Sequence, residues 1–275
     1  MKDIVFYKMQ GSGNDFVLFD LRDVQVDYSK MSAWAKILCA RCFGIGADGL
    51  IFLEKVDQGE VDFKWYFYNA DGSEAEMCGN GSRCAARLAY QLGLAGKKQR
   101  FLTKAGVIRA EIKDKNWVKV ELTKPKDLQL NIPLKLNKNN YNVHFVNTGV
   151  PHVVVFVEAL QDLDVLDVGK QIRFHSRFGP AGTNVNFGQI LNPKEILLRT
   201  YERGVEAETY ACGTGSAASV YVGWKLGQLD NEVKVYTSGG EELTVAIEEE
   251  SVFLQGKAIL VYKGFLNPEI LGRYL

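Results

Sequence analysis

The chain has 275 residues, 47% of them apolar, enough to pack one large domain or two of ordinary size. Thirty-three basic residues balance 33 acidic ones, which gives no support for nucleic acid or an anionic membrane as a partner. No apolar run reaches the roughly 18 residues of a spanning helix, the start MKDIVFYKMQGSGND lacks the apolar core of a secretory signal, and five cysteines, an odd number, fit reduced thiols in the cytosol.

In chain order, IVFYKM reads as a strand, GSGND as a loop and FVLFD as a second strand. A helix is expected from Ser29 to about Cys42, capped by Ser29 or Ser32. Gly44 to Gly49 reads as a turn, LIFLEK and DFKWYFYN as strands, and NADGS as a strong turn. Cys78 is expected to open a long helix that ends near Gly93. RFLTKAG, VIRAEIK and WVKVELTKP follow as strands. The polar interval 125–142, with two prolines at its borders or within, reads as a linker region between an N-terminal half, 1–124, and a C-terminal half, 143–262. In the second half HFVNTG, HVVVFV, GTNVNFGQIL and EILLRTYE read as strands, Cys212 opens the second long helix, and a meander of strands closes the half. The tail, 263–275, is expected to pack on the N-terminal half. Mostly antiparallel strands around one long helix in each half make an α+β fold.

The halves are copies of one pattern. CGNGSRCAARLAYQLG at Cys78 and CGTGSAASVYVGWKLG at Cys212 stand 134 residues apart. Glu74 and Glu208, Thr103 and Thr237, and Gly106 and Gly240 keep that offset, while Gly13 and Gly149, and Gly46 and Gly182, keep 136. An ordered series with a drift of two is what a duplication with one small deletion leaves.

Cys78 and Cys212 each fall where a glycine-rich turn meets a helix start. Unpaired N–H groups and the helix dipole there favour negative charge and lower a thiol pKa. Glycines let an anion approach those N–H groups. Two such starts facing one another across a cleft could hold a carboxylate while its α-carbon becomes a carbanion; the plainer alternative is two buried structural cysteines. His152, equivalent by the 136 offset to Phe16, could take a proton from a neighbouring thiol, and Glu208 could do so beside Cys212. Its counterpart Glu74 has the same spacing, so spacing does not choose between them. His144 and His175 have no such setting. GIGADG matches the dinucleotide glycine pattern, but it follows a helix and precedes a strand, the wrong order for a phosphate site. Cys39, Cys42 and Cys84 read as small core residues rather than zinc ligands.

KMQGSGNDF, FGIGADG, NADGSEAEMCGNGSRC, NTGVPH, GTNVNF and ERGVEAETYACGTGSA together resemble the diaminopimelate epimerase family over nearly the whole chain. The resemblance implies a cofactor-independent epimerase of LL- and meso-2,6-diaminopimelate, a step of lysine and peptidoglycan precursor synthesis, built from two mirror-related domains and working as a homodimer. Carried over by position, Cys78 and Cys212 are the catalytic thiols, with His152 and Glu202 tuning them. Gly79, Asn80, Gly213 and Thr214 bind the reacting carboxylate, and Asn14, Asn69, Asn184, Glu202 and Arg203 bind the substrate, several at its far end. On this reading Glu202 ranks above Glu208. No metal and no cofactor are expected. Three departures bear on the far end: Gly49 and Val150 stand where many relatives have Gln and Asn, and ERGVEAET is one residue longer than usual. Two alternatives remain: a proline racemase or hydroxyproline epimerase on the same plan, and a thiol redox or zinc-binding protein.

Overall fold

The computed structural model describes residues 4–137 and 139–272. The first elements are β1 (Ile4–Gly11), β2 (Asn14–Asp20), α1 (Met31–Leu38), β3 (Gly49–Lys55), β4 (Phe63–Asn69) and α2 (Gly79–Gln91). β5 (Lys98–Thr103), β6 (Gly106–Asp114), β7 (Trp117–Glu121), β8 (Lys126–Lys135), β9 (Asn140–Asn147) and β10 (Pro151–Phe156) follow. The rest are α3 (Val165–Arg173), β11 (Asn184–Asn192), β12 (Glu195–Glu202), β13 (Ala207–Thr209), α4 (Gly213–Lys225), β14 (Glu232–Thr237), β15 (Glu242–Glu248), β16 (Ser251–Lys257), β17 (Ile259–Leu266) and α5 (Glu269–Gly272). The fold is α+β, mostly sheet with few helices. No described helix is long and apolar enough to cross a membrane.

Two compact units emerge, one of residues 1–120 and 256–275, the other of residues 121–255. In the first, β1 pairs antiparallel with β2, β2 parallel with β3, β3 antiparallel with β4, β4 parallel with β5, and β5, β6 and β7 pair antiparallel in turn. In the second, β9 to β12 and β14 to β16 repeat that sequence of pairings: antiparallel, parallel, antiparallel, parallel, antiparallel, antiparallel. Each unit also takes a strand that follows the opposite repeat in sequence. β17 pairs with β1 in the first unit, and β8 pairs with β9 in the second.

Within each unit the long helix is wrapped by strands. α2 packs on β1, β2, β3, β6 and β17, and α4 on β9, β10, β11 and β15. Gly79, Gly81, Ser82, Ala85, Ala86 and Ala89 let strands approach α2 closely, and every residue of α4 from Gly215 to Gly223 is buried. α4, buried on all sides over that stretch, cannot be amphipathic. A short helix covers the other face of each sheet: α1 packs on β3 and β4, and α3 on β11 and β12. Met31, Trp34, Ala35 and Leu38 of α1 meet Phe19, Leu50 and Phe52 in one core; Val165 and Ile172 of α3 meet Val153, Phe187 and Tyr201 in the other.

Three sequence expectations need correction. The first helix starts as a 3-10 turn, Tyr28–Lys30, capped by Asp27, whose side chain accepts from Ser29 N; neither Ser29 nor Ser32 is the cap. That helix stops at Leu38, because the chain folds back over its end: a Cβ at Gly44 would overlap Ile37 O, and Cys42 sits at φ 71. The stretch read as a linker carries β8, whose Ile132 and Leu134, with Leu136 just beyond it, alternate into the core with Val143 and Val155. Pro125 and Pro133 hide that alternation, although Pro133 itself lies on the exposed face of β8. α3, β13 and α5 were not foreseen.

Candidate active site

The first half-site lies at the start of α2. Cys78 is its N-cap in extended conformation, and the thiol sulfur accepts from Gly81 N at 3.5 Å. The same Sγ donates toward Asn14 Oδ1 at 3.7 Å. Asn14 is held from behind: its Nδ2 donates to Asp48 Oδ2 at 2.6 Å, Asp15 N donates to that oxygen at 3.1 Å, and Arg41 bridges Asp15 and Asp48 at 3.0 Å each. Lys8 closes the cluster on Asp15 at 2.7 Å. The amide oxygen of Asn14 is thereby turned to the sulfur. Burial pushes the Cys78 thiol above the usual thiol range; the Gly81 and Asn80 N–H groups and Arg83 pull it back, and Asp48 adds to the rise. Arg83, fully buried, donates to Ser12 Oγ at 2.5 Å and to Gly79 O at 3.5 Å, tying the glycine turn to the loop before Asn14.

Asn69 ends β4, its Nδ2 donating to Ser73 Oγ at 3.0 Å within the NADGS turn. Gly72 has φ 82 there, and a side chain at that position would meet Lys36 and Ser32 O. Asn80 Oδ1 is buried with no partner among the described residues. Gly49 faces Phe67, whose Cε2 would lie 2.6 Å from an added Cβ, so the ring leaves no room for a side chain at this position.

The second half-site repeats the plan at α4, with Cys212 as N-cap and its sulfur 3.5 Å from Thr214 Oγ1. Its thiol is pushed up to about 11, first by burial and then by the Glu202 carboxylate, against the pull of the Thr214 and Gly215 N–H groups. Both cysteines are half-buried. Thr214 O accepts from Thr148 Oγ1 at 3.1 Å, which fixes the Gly213–Thr214 turn. Glu202 ends β12 and accepts from Thr209 Oγ1 at 2.9 Å. Glu208, by contrast, is clamped by Arg199 through two hydrogen bonds of 2.8 and 2.7 Å, and its counterpart Glu74 pairs with Lys104 at 2.7 Å. Of the two carboxylates, Glu202 is the one whose charge bears on the Cys212 thiol, while Glu208 is taken up by Arg199.

Asn184 is buried; its Oδ1 accepts from Arg203 N at 2.9 Å and its Nδ2 donates to Pro151 O at 3.1 Å, so it shapes the turn that carries Arg203. In that turn Glu206 takes φ 57 and pairs with Arg173 at 3.1 Å. His152 is wholly buried in β10, its Nδ1 3.1 Å from Asn186 Nδ2, and its Nε2 has no partner among the described residues. Burial and the Arg203 charge push its pKa down to about 3. His144 is buried in β9, its Nδ1 accepting from Asn131 N at 3.1 Å, and His175 caps a 3-10 turn. All five cysteines are free; Cys39 and Cys84 are buried, and Cys42 is exposed rather than in the core. Among the described residues no group of His, Cys, Asp and Glu could hold a metal ion. Sequence reasoning missed the Arg41–Asp15–Asp48 cluster and the buried Asn186; the only signal for either was a polar residue inside an apolar strand or a glycine-rich loop.

The comparisons agree with one another. The diaminopimelate epimerase family pattern matches residues 6–128 and 144–261. A diaminopimelate epimerase of Hydrogenobaculum sp. (strain Y04AAS1) is 48% identical over 272 residues, covering 96% of this chain and 98% of that protein. One from Aquifex aeolicus (strain VF5) is 47% identical over 277 residues, covering 97% and 99%. The crystal structure of a probable proline racemase from Agrobacterium radiobacter K84 superposes with a TM-score of 0.70 over 96% of this chain and 94% of that one, at 14% identity, a likeness of fold alone. With its family pattern in both repeats and near-full-length identity of this degree, the chain belongs to the diaminopimelate epimerase family.

Proposed function

We propose that this isomerase interconverts LL- and meso-2,6-diaminopimelate without pyridoxal phosphate, using Cys78 and Cys212 as a two-base pair. One observation carries the reading: both thiols are helix N-caps at the same place in a recurring order of strands and helices. Inversion at carbon needs a base on one face and an acid on the other, because a single group would return the proton to the face it left. In the LL-to-meso direction the Cys212 thiolate removes the α-proton and the Cys78 thiol delivers one to the opposite face. The reverse direction starts from the swapped protonation state.

The surroundings of each sulfur support those roles. Gly79–Asn80 and Gly213–Thr214 would bind the reacting carboxylate through N–H groups at the two helix starts, where charge developing on the substrate is stabilised. A thiol pKa raised by burial brings the thiolate nearer in basicity to the weakly acidic α-carbon. Burial, with the Glu202 charge added to it, favours the thiol form of Cys212 in the empty enzyme. A substrate ammonium beside Glu202 would offset the carboxylate's share of that rise and ease ionisation of Cys212, so one carboxylate would both bind substrate and time the base. Asn14, Asn69, Asn184 and Arg203 would hold the remainder of the substrate, the guanidinium matching a carboxylate in two-pronged geometry.

The two repeats would act as the two substrate-binding domains, in the cytosol, and as a homodimer. Val261, Tyr262 and Phe265, exposed on β17, support a second copy as their cover. Sedimentation velocity giving only a single-chain species would remove the dimer. Deuterium incorporation from D2O into diaminopimelate, followed for both stereoisomers, tests the reaction; Cys78→Ala and Cys212→Ala should each abolish epimerisation with the fold retained. Near-normal turnover in either variant excludes that cysteine.

A further inference from the structure

Beneath the first turn of α4 lies a hydrogen-bonded chain of three side chains that the first repeat lacks. Thr200 Oγ1 donates to Asn186 Oδ1 at 3.1 Å, Asn186 Nδ2 donates to Val153 O at 3.0 Å, and that nitrogen also lies 3.1 Å from His152 Nδ1. All three residues are buried. Strand register identifies their counterparts. Phe16 stands opposite Gly49 as His152 stands opposite Asn184, and two residues further on come Ile51 and Asn186. On the neighbouring strand Ile51 faces Phe67, and Asn186 faces Thr200. The first repeat thus has Phe16, Ile51 and Phe67, with the two rings edge to face at 5.9 Å. Each triad underlies a helix-start glycine: an added Cβ at Gly81 would lie 3.3 Å from Ile51 Cδ1, and one at Gly215 would overlap Asn186 Oδ1 and lie 3.2 Å from Cys212 Sγ.

The polar triad dictates where the imidazole hydrogen sits. Val153 O can only accept, so the Asn186 atom facing it is the NH2 group. The second hydrogen of that group points at His152 Nδ1, which must therefore offer a lone pair. The ring is neutral, and its hydrogen is on Nε2. Arg203, the charged group bearing on the ring, opposes an imidazolium further. Nε2–H is buried with no acceptor among the described residues, a costly state for a donor that a ligand anion would relieve.

We infer that Asn186 is a positioning residue that locks His152 as the Nε2–H tautomer, so that His152 serves the reaction as a hydrogen-bond donor to an anion, either a substrate carboxylate or a thiolate, and not as a base. The role in the reaction rests on the epimerase reading; the tautomer does not. It replaces the sequence expectation that the imidazole takes a proton from a thiol.

Nitrogen-15 NMR of the histidine-labelled full chain reads the tautomer without substrate. The native protein should show His152 in the Nε2–H pattern throughout about pH 5–9. Asn186→Asp, which accepts where the amide donated, should convert the ring to an Nδ1–H form. An Nδ1–H pattern in the native protein, or an unchanged pattern in folded Asn186→Asp, overturns the inference. His152→Gln gives an independent readout, since its amide reaches toward the Nε2 position and can donate but not take up a proton. It should keep kcat within about tenfold of native while His152→Ala loses about a hundredfold, the usual scale for one lost donor. Equal loss in the two variants overturns the donor role. A carboxylate acceptor would place part of the Ala loss in KM, and a thiolate acceptor would move a cysteine alkylation profile instead. Native protein with no diaminopimelate turnover would refute the epimerase reading and leave the NMR result standing.

Discussion

Replacing Gly215 by alanine should destabilise the protein by about 2–5 kcal/mol, whereas Gly81→Ala, the matching change in the other repeat, should stay within about 1 kcal/mol of native. Both glycines sit at the third position of a long helix with ordinary helical backbone, so alanine gains up to about 1 kcal/mol of helix propensity at each. What lies beneath them differs. The alanine methyl at 81 would touch Ile51 Cδ1 at 3.3 Å and Phe16 at 3.5 Å, and the end of an isoleucine side chain can yield by a few tenths of an ångström. The methyl at 215 would overlap Asn186 Oδ1 and crowd Cγ at 3.1 Å, which forces the whole amide to retreat. Its hydrogen bonds to Val153 O, Thr200 and His152, all 3.0–3.1 Å, cannot survive a shift of about 1 Å together. Two orphaned buried polar groups at about 1–3 kcal/mol each sum to about 2–6 kcal/mol, and the propensity gain of up to about 1 kcal/mol takes off only a small part, which leaves a cost centred in the stated range. Paired urea denaturation of the two variants reads the difference, and a Gly215→Ala stability within about 1 kcal/mol of Gly81→Ala would refute the account of the triad.

Glu202→Gln removes a charge that raises the Cys212 thiol, so the pH midpoint of its alkylation should fall, with that of Cys78 unmoved; a rise would contradict the assignment. Asp48→Asn removes a charge that raises Cys78 and releases the Asn14 amide, so the Cys78 midpoint should fall while Cys212 keeps its own, measured by mass spectrometry of each peptide. His152, at about 3 in the folded protein against 6.5 unfolded, contributes stability that is complete above pH 6.5 and lost as pH falls toward 3. His152→Gln should flatten that stretch of the stability profile, on the order of 4–5 kcal/mol in full, and an unchanged acid slope would count against a buried neutral ring.

The long helices and their cysteines were legible because a glycine turn followed by a run of small residues recurs at a constant offset. Most strands were legible from alternation and β-branched or aromatic content. α3 was not, because only Val165, Gly169 and Ile172 of its nine residues are buried, too thin a stripe to outweigh its charges. β8 was lost to prolines and to the positive-φ bulges at Asp127 and Asn131. At the site, spacing put Glu208 and Glu74 on equal terms and could not see that Arg199 and Lys104 claim them. The state of His152 depends on Asn186, 34 residues away, and on a carbonyl that no side-chain pattern reports.

The placement of β17 has a bearing on synthesis. Ile4 waits for Leu266 as its partner, so the unit that emerges first from the ribosome gains its edge strand only when the tail is made. The other unit is one uninterrupted stretch, 121–255, and all its strands are in hand earlier. The usual N-terminus-first order of co-translational folding is thereby reversed at completion, and a gene cut at the boundary 120/121 would leave the second product all of its strands but deprive the first of β17 and leave β1 open to unwanted pairing.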